Sequence, residues 1–156
     1  MVLINSAIAL GSNLGDSQTT LNQSVEMIKE HPKIELIACS NWHQTKPVGP
    51  PQPDYLNGCI TISTSLSPED LLTFLLDVEQ KFGRERKLRW GARTLDLDLI
   101  LHGDLVLETP NLQIPHPRMH QRGFVLVPLA EIAPEWVHPV QNMTIEQLKE
   151  KLLTDK

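Results

Sequence analysis

Aromatic residues are scarce in this chain: one tyrosine, three tryptophans and three phenylalanines among 156 residues. An RNA-binding module of the small α+β kind carries aromatics on its central strands, in patterns such as Lys-Gly-Phe-Gly-Phe-Val-x-Phe, and none occurs here. Positive charge is also in the minority, with 14 Lys and Arg against 19 Asp and Glu and a formal net charge of −5. That balance argues against nucleic acid or an anionic membrane as a general partner. No apolar run approaches the roughly 20 residues that cross a bilayer. The segment Val2 to Leu10 has no basic leader and contains Asn5 and Ser6, so it reads as a strand meeting a turn rather than a signal peptide. The two cysteines, Cys39 and Cys59, sit in apolar surroundings and read as buried thiols, not as a disulfide or metal site. A reducing cytoplasm is the expected compartment. Two nucleotide-binding motifs are missing as well: Gly-x-x-x-x-Gly-Lys followed by Ser or Thr, and Gly-x-Gly-x-x-Gly. Gly11 and Gly15 read as a turn and a helix entry.

What is present is concentrated in one place. Leu95 to Leu101 is an apolar run of strand length interrupted only by Asp96 and Asp98. Alternation on a strand puts Leu95, Leu97, Leu99 and Leu101 on one face and both carboxylates on the other, with Cα atoms roughly 7 Å apart. Two carboxylates that close repel, and burying either without a partner is costly. A cation relieves both problems, and oxygen-only ligands favour a hard one, Mg²⁺ first. Immediately upstream, Lys81, Arg84, Arg86, Lys87, Arg89 and Arg93 stand against a single acid, Glu85. Acidic residues for metal beside basic residues for phosphate are the parts for phosphoryl transfer from a nucleotide.

The order of elements reads β-α-β-β-α-β. Ile4 to Leu10 is a strand, and Asp16 or Ser17 caps a helix carrying Leu21, Val25 and Ile28 that ends at Pro32. Ile34 to His43 is a second strand. Pro47 to Pro53 holds four prolines and a glycine and excludes regular structure. Tyr55 to Ser63 is a third strand. Ser67 and Pro68 start a second helix with Leu71, Leu72, Leu75 and Val78 on its apolar face. The acidic strand follows the basic loop. This pattern predicts a ferredoxin-like α+β fold, an antiparallel sheet with both helices on one face, forming a single domain over 1–156. A C-terminal extension carries a hairpin turn at Gly103-Asp104, an extended piece between Pro110 and Pro115, and helices over Phe124 to Ile132 and Thr144 to Leu153. The irregular loops 44–54 and 81–94 are longer than a minimal fold needs, which marks them as functional.

Smaller signals complete the reading. Tyr55 and Asn57 share a strand face, and a ring plus an amide suits a flat heterocycle. His116 and His120 have the spacing of helical metal ligands, but Pro115 and Pro117 flank His116 and break such a helix; His116 suits phosphate instead, with Arg118 and Arg122 near it. Glu79 falls mid-helix, where a carboxylate is ordinarily solvated.

Four ordered blocks resemble one family, the 6-hydroxymethyl-7,8-dihydropterin pyrophosphokinases of folate biosynthesis. They are Ala9 to Asp16, Gln52 to Asn57, the dodecapeptide Arg89-Trp90-Gly91-Ala92-Arg93-Thr94-Leu95-Asp96-Leu97-Asp98-Leu99-Ile100, and Ile114 to Met119 with Arg122-Gly123-Phe124. The resemblance implies transfer of the β,γ-pyrophosphoryl group of ATP to the hydroxymethyl oxygen of the pterin, releasing AMP. It implies two Mg²⁺ ions on Asp96 and Asp98, and phosphate handling by Arg84 and Arg93. It places the pterin between Tyr55 and Phe124, read by Asn57 and by Thr45, Pro47 and Val48. It puts Glu79, Arg86, Lys87, Trp90, Arg93, Leu99, His116 and Arg122 on the nucleotide side. Pro117 and Leu76 depart from side chains that some members use near the nucleotide. The implied partners are small molecules, with no nucleic acid or membrane, acting on a cytoplasmic monomer. Two rival readings stay open from the residues alone. A nucleotidyltransferase also uses an Asp-x-Asp strand but releases pyrophosphate; it lacks here its usual Gly-Ser opening. An RNA-binding module would turn over no ATP.

Overall fold

The computed structural model describes residues 2–13, 16–45, 54–82 and 95–154. In chain order the elements are β1 (Ile4–Ser12), α1 (Ser17–Lys29), β2 (Ile34–Cys39), β3 (His43–Thr45), β4 (Tyr55–Thr64), α2 (Pro68–Lys81), β5 (Asp96–His102), β6 (Leu107–Glu108), β7 (Gln113–Ile114), a 3₁₀ turn (Met119–Gln121), α3 (Gly123–Ile132) and α4 (Ile145–Thr154). The main sheet runs β2-β4-β1-β5 with β3 added beside β4, and the pairings are antiparallel. That strand order is the ferredoxin-like one, as the element pattern predicts.

Local chemistry explains the helices. Asp16 caps α1, its Oδ1 accepting from the Thr19 N–H at 3.2 Å. Ser67 caps α2, accepting from the Asp70 N–H at 3.1 Å, with Pro68 in the first turn where its missing N–H costs nothing. Thr144 and Gln147 exchange side-chain to backbone bonds at the start of α4, a reciprocal cap. Pro128 lies inside α3 and removes one internal hydrogen bond, yet Val125, Leu126, Leu129 and Ala130 are buried there and carry the helix.

The sheet separates two cores. On one face Ile8, Leu10, Ile60, Ile62, Leu95, Leu97 and Leu99 pack against Leu21, Val25 and Ile28 of α1 and Leu71, Leu75 and Val78 of α2. On the other, Ala7, Ala9, Cys59, Ile100 and Leu101 pack against Met119, α3 and α4. The C-terminal extension therefore closes part of the second sheet face.

Five details differ from the sequence expectation. β1 continues through Ser12, so Gly11 is a strand residue rather than a turn, paired with Asn57 on one side and Asp96 on the other. The strand expected over 34–43 is two strands. β2 slips by one residue between Leu36 and Ala38, and Ser40 then interrupts the ladder. Its Oγ accepts the Cys59 N–H at 2.9 Å, displacing a backbone carbonyl from that role. Leu101 lies on the face opposite Leu95, Leu97 and Leu99, because a bulge opposite Ala7 and Ile8 shifts the alternation at Ile100. Gly103-Asp104 turns the chain away from β5 instead of making a hairpin with it; the hairpin is β6-β7, closed between Thr109 and Leu112. Cys39 is exposed, since β2 is the sheet's outer strand, while Cys59 is buried. Burial pushes the Cys59 thiol far above its ordinary range.

Candidate active site

The cleft grows out of one row of the sheet. On the second face, Ala7 and Ala9 are covered by the second core, and the next residue of β1 on that face is Gly11. Its partners in register are Asn57 on β4 and Asp96 on β5, with Asp98 one row back beside Ala9. A cleft of about 450 Å³ opens over this row, lined by Gly11, Thr45, Tyr55, Asn57, Asp96, Asp98, Arg118, Arg122 and Phe124 along with Ala9 and Leu10. Strand alternation thus brings Asp96 and Asp98 to one cleft, as predicted, and sets Tyr55 and Asn57 beside them.

One end of the cleft is held by side-chain geometry. Asn57 is buried, and its Nδ2 donates to Thr45 Oγ1 at 2.5 Å. Its Oδ1 lies where a Cβ on Gly11 would come within 2.9 Å, so only glycine leaves room for the amide. Across the cleft, Phe124 lies in the first turn of α3 and is 41% exposed, a large exposure for an aromatic ring. The Arg122 guanidinium stands 5.4 Å from its centroid. Ring, amide and hydroxyl around one slot suit a flat polar heterocycle.

The other end is charged. Asp96 is half-buried and Asp98 exposed. Their donor set is all oxygen, which fits Mg²⁺, an ion that keeps water and phosphate oxygens as its other ligands. His116 is held near β5 by its own N–H donating to the Ile100 carbonyl at 2.9 Å. Burial lowers the His116 pKa, the Asp98 carboxylate opposes that, and Arg122 and Arg118 reinforce it. Its Nδ1 accepts from the Arg118 N–H at 3.3 Å, which leaves Nε2 as the N–H that faces outward from this contact.

A profile describing 7,8-dihydro-6-hydroxymethylpterin-pyrophosphokinase matches residues 7–134. The chain belongs to this family. Its relatives include a Synechocystis sp. protein named 2-amino-4-hydroxy-6-hydroxymethyldihydropteridine pyrophosphokinase, 52% identical over 145 residues, spanning 93% of this chain and 74% of the relative. A Haemophilus influenzae protein of the same name is 42% identical over 149 residues, 95% of this chain and 93% of its own length. Among solved structures, Plasmodium falciparum HPPK-DHPS with pteroate superposes with a TM-score of 0.78 at 14% identity, covering 96% of this chain. At that identity the likeness is one of fold. This chain spans 42% of the length of that structure's chain.

Against this pyrophosphokinase framework the expected site residues fall into three groups. Thr45, Tyr55, Asn57, Asp96, Asp98, Arg122 and Phe124 line the cleft, and His116 lies beside Asp98. Glu79 and Leu99 are placed differently from a solvated contact. Glu79 is 3% exposed, and its Oε2 accepts the Leu97 N–H at 2.6 Å. The Leu99 side chain is buried in the first core, so only its backbone has an outlet toward the edge of β5. Arg84, Arg86, Lys87, Trp90, Arg93, Pro47 and Val48 lie outside the described residues. Sequence reasoning read Gly11 as a turn and named Arg118 only as a neighbour of His116; both line the cleft. Both stand inside the matching blocks, and the requirement for glycine at 11 becomes visible only when Asn57 is set opposite.

Proposed function

We propose that this chain is an ATP- and Mg²⁺-dependent pyrophosphokinase. It transfers the β,γ-pyrophosphoryl group of ATP to the hydroxymethyl oxygen of 6-hydroxymethyl-7,8-dihydropterin, giving the pterin diphosphate and AMP for folate biosynthesis. The observation that carries the reading is one cleft with a heterocycle slot at one end and two carboxylates at the other. The pterin lies between Tyr55 and Phe124, read by Asn57, Thr45 and the backbone of Pro47 and Val48. Asp96 and Asp98 hold two Mg²⁺ ions, which when bound offset the negative charge of the triphosphate. Arg84 and Arg93 bear on the transferred group. Arg86, Lys87, Trp90, His116, Arg122, the Leu99 backbone and the region of Glu79 serve the nucleotide. Position and charge then do most of the catalysis, because the acceptor hydroxyl needs orientation more than a strong base. The chain acts as one domain and as a monomer in the cytoplasm; among the described residues no helix is long and apolar enough to cross a membrane.

The test is incubation with ATP, Mg²⁺ and the hydroxymethyl dihydropterin, with the nucleotide products resolved. AMP formed one for one with pterin diphosphate supports the reading. Pyrophosphate release with a nucleotidylated product points to a nucleotidyltransferase, and absence of turnover removes the enzymatic reading.

A further inference from the structure

A carboxylate outside the cleft joins its two walls. Glu131 sits near the end of α3, and both of its oxygens reach across to the segment that leads into β3. Oε1 accepts the Asn41 N–H at 2.9 Å, and Oε2 meets His43 Nε2 at 2.5 Å. Glu131 follows Phe124 by seven residues, two helical turns, so the two side chains share one face of α3. His43 and Thr45 alternate on β3 and share a strand face. The same two elements therefore carry the tie at one end and opposite walls of the heterocycle slot at the other: Phe124 on α3, and Thr45 with its partner Asn57 on the sheet side.

Apolar packing seats α3 on the sheet, and the Glu131 tie adds a directional link from it to the segment leading into β3. β3 has three residues and pairs with β4. The start of α3 has no side-chain cap, and Pro128 interrupts its hydrogen bonding. The Cys59 thiol reaches the Val125 carbonyl at 3.6 Å, a weak contact. A bidentate carboxylate is a stiff connector by comparison, since two charge-assisted bonds set both distance and direction.

We infer that Glu131 is a positioning residue: by holding Asn41 and His43 against the end of α3, it sets the gap between Phe124 and the Thr45–Asn57 pair. The inference rests on the pterin reading of the cleft. It assigns Glu131 no contact with substrate.

The experiment uses the full chain and its Glu131→Ala, Glu131→Gln and His43→Ala variants. Pterin affinity is measured by calorimetry, KM for each substrate by AMP formation, and folding by thermal denaturation. Glu131→Ala weakens pterin binding about tenfold, as a displaced wall does, while KM for ATP stays within about twofold. Glu131→Gln, whose amide oxygen still accepts from Asn41, recovers most of the affinity. Should Glu131→Ala fail to fold, His43→Ala removes half of the tie and still weakens pterin more than ATP. Unchanged pterin affinity in the folded variants overturns the inference, whatever happens to the melting temperature. So does a parallel loss for both substrates, which a general structural role would give. A wild-type chain that binds no pterin overturns the reading of the cleft itself, and that outcome is separate from the others.

Discussion

Removing the Glu79 carboxylate tests how the acidic strand is held. β5 is the last strand of the sheet, paired with β1 on one edge. The Leu97 N–H points off the other edge, and it belongs to the residue between Asp96 and Asp98. Leu97 is 5% exposed, so water is a poor substitute partner. Glu79 Oε2 fills that role at 2.6 Å from a helix that packs directly on the strand. Glu79→Ala leaves this buried N–H without its acceptor, which costs about 1–3 kcal/mol. For a chain of this size each kcal/mol moves the melting temperature by about 2–4 °C, so a fall of about 2–12 °C is expected. Glu79→Gln keeps an oxygen that can accept from Leu97 and loses less. The strand end that carries both aspartates also loosens, so the Mg²⁺ concentration giving half-maximal AMP formation rises in Glu79→Ala. Thermal denaturation and a Mg²⁺ titration of turnover measure the two effects. A Glu79→Ala variant that melts within a degree of wild type, with the same Mg²⁺ dependence, would refute the reasoning.

Asp96→Ala and Asp98→Ala each abolish turnover while the chain still folds, because either change takes an oxygen ligand from the metal site; near-normal AMP formation by both variants at moderate Mg²⁺ removes the metal assignment. Arg93→Ala loses mainly kcat, by about a hundredfold or more, since a contact to developing charge strengthens in the transition state. Asn57→Ala loses mainly pterin affinity, because the edge it reads does not change during reaction. Steady-state kinetics with pterin calorimetry separates the two, and equal kcat losses with unchanged affinity would contradict the division. Burial lowers the pKa of His102 and of His138 below the ordinary 6.5, with Glu69 opposing it at His102 and His120 reinforcing it at His138. The unfolded chain then binds more protons just below that value, so stability is full above about pH 6.5 and is lost as pH falls through the lowered folded values. A melting temperature that climbs between pH 7 and pH 5 would reverse that sign.

The parts of the fold legible in the sequence are those whose cause is local. The Ser67-Pro68 start and the leucine spacing of α2 state a helix without help from the rest of the chain. The alternation through Asp96 and Asp98 puts both on one face for the same reason. Where the expectation failed, the cause was a partner distant in sequence. Ile100 bulges against Ala7 and Ile8, so Leu101 changes faces although its own neighbourhood reads as an unbroken strand. Ser40 breaks β2 from β3 by bonding to Cys59, and nothing in 34–43 announces that exchange. The site divides along the same line. Its sheet half, Tyr55, Asn57 and the two aspartates, follows from strand periodicity. Its helix half is less legible: Arg122 was read only as a neighbour of His116, and Phe124 entered through the family resemblance, because how α3 approaches the sheet is a tertiary fact. Glu131 was invisible for that reason as well.

The cleft exists because one face of the sheet is only partly covered. Along β1 that face reads Ala7, Ala9, Gly11, and across it the partners change from Thr61 and Leu101 to Asn57 and Asp96. The small side chains of Ala7 and Ala9 let α3 and the Met119 turn sit close, with Cys59, Ile100 and Leu101 filling the space between. On the β5 side the apolar partners end with Leu101, since Ala9 faces Asp98, and at Gly11 the partners on both sides are polar. Polar groups there cannot be buried by a helix without unmet hydrogen bonds, so extending the cover over that row would cost more than the apolar contact returned. Gly11 also leaves no side chain to close the gap, and a Cβ there would push the Asn57 carbonyl from its place. The residue that ends the covered zone is Phe124, which faces the row as a half-exposed ring rather than as core. The same alternation that builds the second core thus ends in a row that the cleft opens over among the described residues, and that row carries both the Asn57 amide and the Asp96 carboxylate.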